Sequence, residues 1–461
     1  MRGFWGQQCL MTAGVIGCRS RRRRRDSGLA RGRFSVRPAE GENYCTMSQI
    51  RIPGTSGYAL MSDKSLEFYK DPMHFCNSRI HSYGSRVFQA RLLNKPTIFV
   101  CSVKGMKELL CEQVNVFDTS YTTSMCKLFG DTVCFTNGEE AQLLRLSLMQ
   151  LFRGKAIDTY ADYINRVCVR NLKDLALSSE PVAVYAMFKR LATELVLGIF
   201  LNVDAEESAA LSKQITQLST QHWHGFVVPC HMPAVPSKID VQYFPTNRHL
   251  PTQSLNSLLI SKIKTIPFPE NTSAAQHLLL FISALIPKAV ASLLTSFTVE
   301  LAGSDKTDLR KRAQESEDYL NHVLLEVERL WPSFIGGRRI AKQDTTLCGY
   351  VVPKGYLALF VAFAVHRDPE IFDDPDEFQP ERWSGRNAGQ EKLLCCFGNG
   401  SRNCIGIDLN NVILKATAGY LLNHYCWELD PPNQNLEYKW LPVSRPAEDP
   451  KIKFTSCSSK T

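Results

Sequence analysis

The stretch Phe397-Gly398-Asn399-Gly400-Ser401-Arg402-Asn403-Cys404-Ile405-Gly406 decides how this chain is read. One cysteine sits in a loop with glycine on both sides and an arginine two residues before it. Directly afterwards Ile405, Ile407, Leu409, Val412, Ile413 and Leu414 recur at helical spacing, so the loop runs into a helix. A sulfur at a helix N-terminus is favoured as its thiolate, because the dipole and the free amides stabilise the anion. Glycines at 398, 400 and 406 let the backbone approach a flat group without Cβ clashes. Thiolate, glycines and arginine together suit the proximal ligand of a metal macrocycle with acidic side arms. A glycine-rich turn around a buried free thiol is the plainer alternative, and it explains fewer of these positions.

Written as Phe-x-x-Gly-x-Arg-x-Cys-x-Gly, with every fixed position filled, the string resembles the haem-binding signature of the cytochrome P-450 family. The resemblance implies haem b (iron protoporphyrin IX), with Cys404 as the thiolate ligand that pushes electron density onto iron. It assigns Phe397, Gly400, Arg402 and Gly406 to the cofactor, Arg402 pairing with a haem propionate. It also implies a mainly α fold with a small β region, a single large helical domain enclosing haem. Cys395 and Cys396 are read as small apolar residues of the incoming strand.

At 461 residues, length alone would suggest two or three domains, but the resemblance implies one. The sixteen cysteines are scattered along the chain, without a Cys-x-x-Cys pair at zinc-finger spacing, which suggests a reducing compartment and mostly free thiols. Residues 1–39 hold ten arginines and one acid, Asp26, and the whole chain carries a formal net charge of +9, so residues 40–461 are neutral in sum. A nucleic-acid-binding body is unsupported. Residues 1–46 read as a basic leader, disordered or an organelle transit peptide, and 47–461 as the haem domain. A basic tail touching anionic lipid, or initiation at Met47, are the other readings of the leader. The expected location is intracellular: organelle-targeted (mitochondrion or plastid), or peripheral on the endoplasmic reticulum membrane with no transmembrane anchor. The longest apolar segment, Leu278–Leu301, has Pro287 and Lys288 at its centre and reads as a buried core helix.

Along the chain, Pro53–Gly57 is a turn, 64–85 a helix, and Arg86–Phe99 a hairpin around Asn94-Lys95-Pro96. Helical periodicity dominates from Val103 to about Leu218. Residues 225–273, rich in proline and polar residues, fall where the family has the two helices roofing its substrate pocket, so this roof is expected to be shortened or loop-like. Tyr319–Leu330 reads as helix, 347–361 as strand-like, and Asp368–Phe378 as an acidic meander.

Glu326-Val-Glu-Arg329 matches the family's Glu-x-x-Arg, whose two side chains share a helix face. Pro380-Glu-Arg382-Trp383 resembles the family's Pro-Glu-Arg-Phe. The resemblance implies a buried Glu326–Arg329–Arg382 cluster that locks the meander, structural rather than catalytic. Arg339, with Arg338 as rival, and Arg145 fall where the family binds propionates, although Ala141 occupies an aromatic slot four residues before Arg145. His366 reads as a structural histidine in a turn. Asn410 stands where the nearest branch has a small alanine beneath the haem.

The acid–threonine pair that relays protons to bound dioxygen in family monooxygenases is incomplete. One register places Lys288-Ala289 there, another Leu294-Thr295. Pro287 could still open the helix by removing a backbone hydrogen bond. Pro53–Gly57, Asn94–Val100, Gly349–Gly355, His366–Pro369 and Asn435–Pro446 look most like the retinoic-acid hydroxylases of animals and cyanobacteria. The resemblance implies a monooxygenase that hydroxylates a lipophilic small molecule, retinoid- or sterol-like. It would use dioxygen and electrons from a reductase or ferredoxin, with peripheral membrane contact and no nucleic acid. The incomplete pair keeps two alternatives open, a haem-thiolate isomerase or dehydratase acting on a lipid peroxide, and a haem-binding protein without turnover.

Overall fold

The computed structural model of the chain describes residues 51–219 and 274–457, apart from 123, 124, 127, 128, 204–206, 208, 210, 386 and 387. The leader and the 225–273 roof lie outside the described residues. Those described belong to one compact unit, Gln49–Thr461.

Helices dominate it. The 64–85 stretch forms two, Ser65–Lys70 and Pro72–Tyr83, because Asp71 leaves helical geometry to cap the second, accepting from the His74 amide, while Pro72 fills its first turn. Next come the strands β1 (Val87–Leu92) and β2 (Lys95–Val100), joined by a two-residue turn in which Leu93 and Asn94 take φ of 49° and 59°. That left-handed turn fits the strand twist. It lies before the expected centre of the hairpin and leaves Pro96 inside β2, opposite Arg91. Helical order after Val103 is interrupted by the short strands β3 (Phe117–Thr119) and β4 (Val182–Ala183).

After the helix Glu317–Leu330 come β5 (Gly336–Ala341), β6 (Thr345–Leu347), β7 (Tyr350–Val352) and β8 (Leu357–Val361). One sheet has the order β1-β2-β8-β5-β3, with β2 and β8 parallel. All five residues of β8 are buried, as a strand near the middle of a covered sheet requires. Near the C-terminus, β9 (Tyr425–Leu429) follows the helix Ile407–His424, β10 (Tyr438–Lys439) pairs with β11 (Arg445–Pro446), and β12 (Lys451–Ser456) lies between β4 and β9.

Ala274–Glu300 is the one described helical segment long and apolar enough to cross a membrane, and most of it is buried within the protein. Val290, Leu294 and Phe297 pack with Leu191, Leu195 and Leu414 in the largest core. The segment is not uniform. Leu280–Leu285 form a widened π turn directly before Pro287. Pro287 has no amide to give the Ser283 carbonyl four residues back, and the Lys288 ammonium bonds that carbonyl instead.

Candidate functional site

The loop Phe397–Gly406 is held by its own backbone. The Cys404 amide donates to the Phe397 carbonyl at 2.7 Å, and the Gly398 amide to the Cys395 carbonyl at 2.9 Å. Gly398 and Gly400 take φ of 71° and 66°. A Cβ on Gly400 would lie 2.1 Å from the Leu110 carbonyl oxygen, so glycine is required there. Cys395 and Cys396 are not in a strand. They occupy the non-repetitive approach to the loop, because its turns leave no neighbouring strand to pair with.

Cys404 lies just before the helix Ile407–His424, and the Gly406 amide points at its sulfur, 3.4 Å away. The residue is exposed, and desolvation by the surrounding protein raises its pKa. The Gly406 amide and the guanidinium groups of Arg145 and Arg153 act in the opposite direction. Burial therefore holds the free thiol protonated, and coordination to a metal is what would remove the proton. Phe152 lines the same region, 3.5 Å from where a Gly406 Cβ would lie, and packs edge-on against Phe281 of the π turn. This loop and the widened turn are thus bridged by one ring.

Three expected cofactor arginines converge. Arg402 donates to the Thr136 carbonyl at 2.7 Å and to Thr119 Oγ1 at 3.3 Å. Thr119 of β3 is paired in register with Arg339 of β5, so strand pairing carries Arg339 to Arg402. Arg145 donates to the Asn403 carbonyl at 2.6 Å, inside the cysteine loop. Burial lowers the pKa of all three, and Arg402 adds its charge to the lowering of Arg145 and Arg339. Burial also lowers the pKa of Arg338, the rival to Arg339, with Tyr121 acting in the opposite direction. Among the described residues none of the three forms an ion pair with a carboxylate. Partly desolvated guanidiniums gathered at the cysteine loop fit a metal macrocycle bearing two carboxylates, because buried cations need an anionic partner. Phe397 packs at the edge of the main core, and Gly406 leaves the thiol uncovered.

The Glu326–Arg329–Arg382 cluster is formed. Arg329 Nε and Nη2 donate to the two Glu326 oxygens at 2.9 and 2.8 Å, and Arg382 Nε donates to Glu326 Oε1 at 2.9 Å. Arg329 also donates to the carbonyls of His366, Pro375 and Glu377, and Arg382 to those of Asp373, Asp374 and Glu377. Both therefore clamp the 368–378 meander. Sequence reasoning missed two further donors to Glu326, the Gln379 amide and the Trp383 indole. His366 is structural: Nδ1 meets the Arg329 carbonyl at 2.9 Å and Nε2 accepts from the Cys395 amide at 2.8 Å. Only the neutral ring serves both bonds, and burial pushes its pKa down to about 3. His366 thus ties the cluster's helix to the cysteine loop.

On the Ala274–Glu300 segment, Thr295 Oγ1 is buried with no hydrogen-bond partner among the described residues. Lys288 is turned to the backbone carbonyls of Ser283 and Ser219. The segment's one carboxylate, Glu300, accepts from the Trp331 indole at 2.5 Å. No acid–alcohol pair is assembled in either register. Tyr121 and Cys134, beside the arginines and Cys404, also escaped sequence reasoning, because neither lies in a recognisable pattern. Burial raises their pKa to about 12 and about 11.

The chain matches the family model described as Cytochrome P-450 over residues 54–259 and 270–454. It is 25% identical to the beta-amyrin 11-oxidase of Glycyrrhiza uralensis over 88% of this chain and 91% of that protein. It is 24% identical to a putative cytochrome P-450 120 of Synechocystis sp., over 88% of this chain and 96% of the relative. A cyanobacterial cytochrome P-450 structure with retinoic acid bound superposes with a TM-score of 0.77 at 23% identity, covering 89% of this chain and 100% of that one.

Proposed function

Because this chain belongs to the cytochrome P-450 family, we propose that it is a haem-thiolate monooxygenase hydroxylating a lipophilic small molecule of retinoid or triterpenoid-to-sterol size. It is a haem-iron oxidoreductase of the monooxygenase type, and the finer reading concerns ligand, substrate and partners. When bound, haem b supplies dioxygen activation. Cys404 would supply its thiolate ligand, Arg145, Arg339 and Arg402 would bind its carboxylates, and Phe397, Gly400 and Gly406 would shape the loop that holds it. Arg329 and Arg382, paired through Glu326, fix the 368–378 meander. The observation that carries the reading is a thiol in a glycine-bounded loop at a helix start, with Arg145, Arg339 and Arg402 gathered nearby and, among the described residues, none of those three in an ion pair with a carboxylate.

Relatives named for beta-amyrin oxidation, and a neighbour holding retinoic acid, support the substrate class. Electrons would come from a reductase or ferredoxin. A peripheral membrane position, in an organelle or on the endoplasmic reticulum, is supported by the neighbouring exposed side chains Tyr58, Leu60 and Met61.

The test is the reduced carbon-monoxide spectrum, with a red-shifted thiolate band expected in the wild type and absent in Cys404→Ala. A wild type without the band, or a Cys404→Ala variant that keeps it, overturns the assignment. One observation favours a second reading, peroxide isomerisation or dehydration: no carboxylate stands on residues 274–299. Such a reaction needs no acid relay, since the substrate brings its own O–O bond. Turnover of a fatty hydroperoxide without reductant, and none with reductase and a lipid substrate, would select it.

A further inference from the structure

We propose that Cys426 and Cys457 form a surface thiol–disulfide site, closed by exchange with a small-molecule disulfide of the glutathione type. Strand geometry brings the two together from positions far apart in sequence. In the antiparallel β9–β12 pair, Cys426 stands opposite Thr455 and Tyr425 opposite Ser456. The Cys457 amide continues the ladder, donating to the His424 carbonyl at 2.9 Å. Side chains alternate along a strand, so Cys426 and Cys457 share a face. Their sulfurs lie 3.4 Å apart, and a covalent bond needs them roughly 1.4 Å closer.

Three further observations set this pair apart. Cys426 is exposed and Cys457 half-buried, so a reagent reaches them. Another pair of adjacent thiols, Cys76 and Cys101, is fully buried. The opposite face of the strands is anchored by buried Tyr425, Trp427 and Phe454, which hold the backbone frame while the thiols react. Arg310, fixed by the carbonyls of Leu301 and Gly303, lies near both sulfurs; at Cys457 its charge opposes burial, which pushes that thiol up to about 11.

The chemistry balances with one reagent molecule. The Cys426 thiolate attacks a sulfur of the oxidised glutathione, its S–S bond breaks, and one glutathione thiolate leaves. The Cys457 thiolate then attacks Cys426 Sγ and displaces the second glutathione thiolate. Two protein thiols have lost their protons and an electron pair, and one disulfide has become two thiols.

The test uses the full-length, haem-loaded protein in glutathione redox buffers, quenched with an alkylating agent and read by peptide mass spectrometry. The expected product is a 426–457 linked peptide lighter by two hydrogens and reversed by reduced glutathione. In Cys457→Ser the reaction stops at glutathionylated Cys426. The exposed thiol of Cys111 serves as an internal control that can acquire only an adduct. The proposal falls if Cys426 or Cys457 carries glutathione in the wild type without becoming linked. It also falls if either links to another cysteine, or if both stay free while Cys111 is modified.

Discussion

Replacing Glu326 by alanine should cost this protein much of its folded stability. Both Glu326 and Arg329 are fully buried, and Arg382 is 6% exposed. The substitution strands two guanidiniums, the Gln379 amide and the Trp383 indole, all of which now donate to Glu326. Removing one partner of a buried ion pair costs about 3–5 kcal/mol. Each buried donor left unsatisfied costs about 1–3 kcal/mol, less where water can enter. These terms do not add, so the expected loss is about 4 kcal/mol or more, against a typical stability of about 5–15 kcal/mol. Urea unfolding of the haem-loaded protein, followed by far-UV circular dichroism and by haem absorbance, measures it. Should the variant not accumulate, Arg382→Gln tests the same cluster, because it removes one ion pair and leaves Arg329–Glu326 intact. An unfolding free energy within about 1 kcal/mol of wild type for Glu326→Ala would refute the claim that desolvation makes this cluster an anchor.

Gly400→Ala places a Cβ against the Leu110 carbonyl at a φ of 66° and should lower both stability and haem-loaded yield. Gly419→Ala, with nothing within 4 Å of its Cβ and an ordinary helical setting, should instead raise stability by about 0.5–1 kcal/mol; urea midpoints for the pair decide it. His366, with its folded pKa depressed to about 3, contributes stability that is present above about pH 6.5 and lost as pH falls towards 3. His366→Gln should therefore cost less at pH 5.5 than at pH 7.5, and an equal or larger cost at the lower pH contradicts this. Glu328 shows the opposite sign: burial raises its pKa to about 8 from an ordinary 4.5, so its contribution is full below about pH 4.5 and lost as pH rises through about 8. Glu328→Gln should thus gain on wild type between pH 5 and pH 8.5, seen as a rising difference in urea midpoints.

The amino-acid sequence by itself determined the features carried by short-range geometry. The cysteine loop needs glycines at fixed positions because Gly398 and Gly400 occupy left-handed backbone, and that requirement is written into ten consecutive residues. Glu326 and Arg329 pair because helical spacing puts them on one face, and Arg382 followed from its neighbouring motif. The start of the Pro72–Tyr83 helix and the hairpin were equally local, missed only by the break at Asp71 and a small offset of the turn.

Tertiary structure alone decided what depends on distant segments meeting. Strand pairing of Thr119 with Arg339 carries one guanidinium to another from a different part of the chain. Pro287 was visible, but nothing local said that the Lys288 ammonium would take the carbonyl it leaves unpaired. The burial that shifts Glu328 and His366 in opposite directions is a property of surroundings contributed by other elements. So is the Cys426–Cys457 contact, set by the register of two antiparallel strands. A motif records the backbone conformation that its own residues must adopt. Charge, desolvation and reactivity depend on what the rest of the chain packs around that motif, and only the folded protein sets those neighbours.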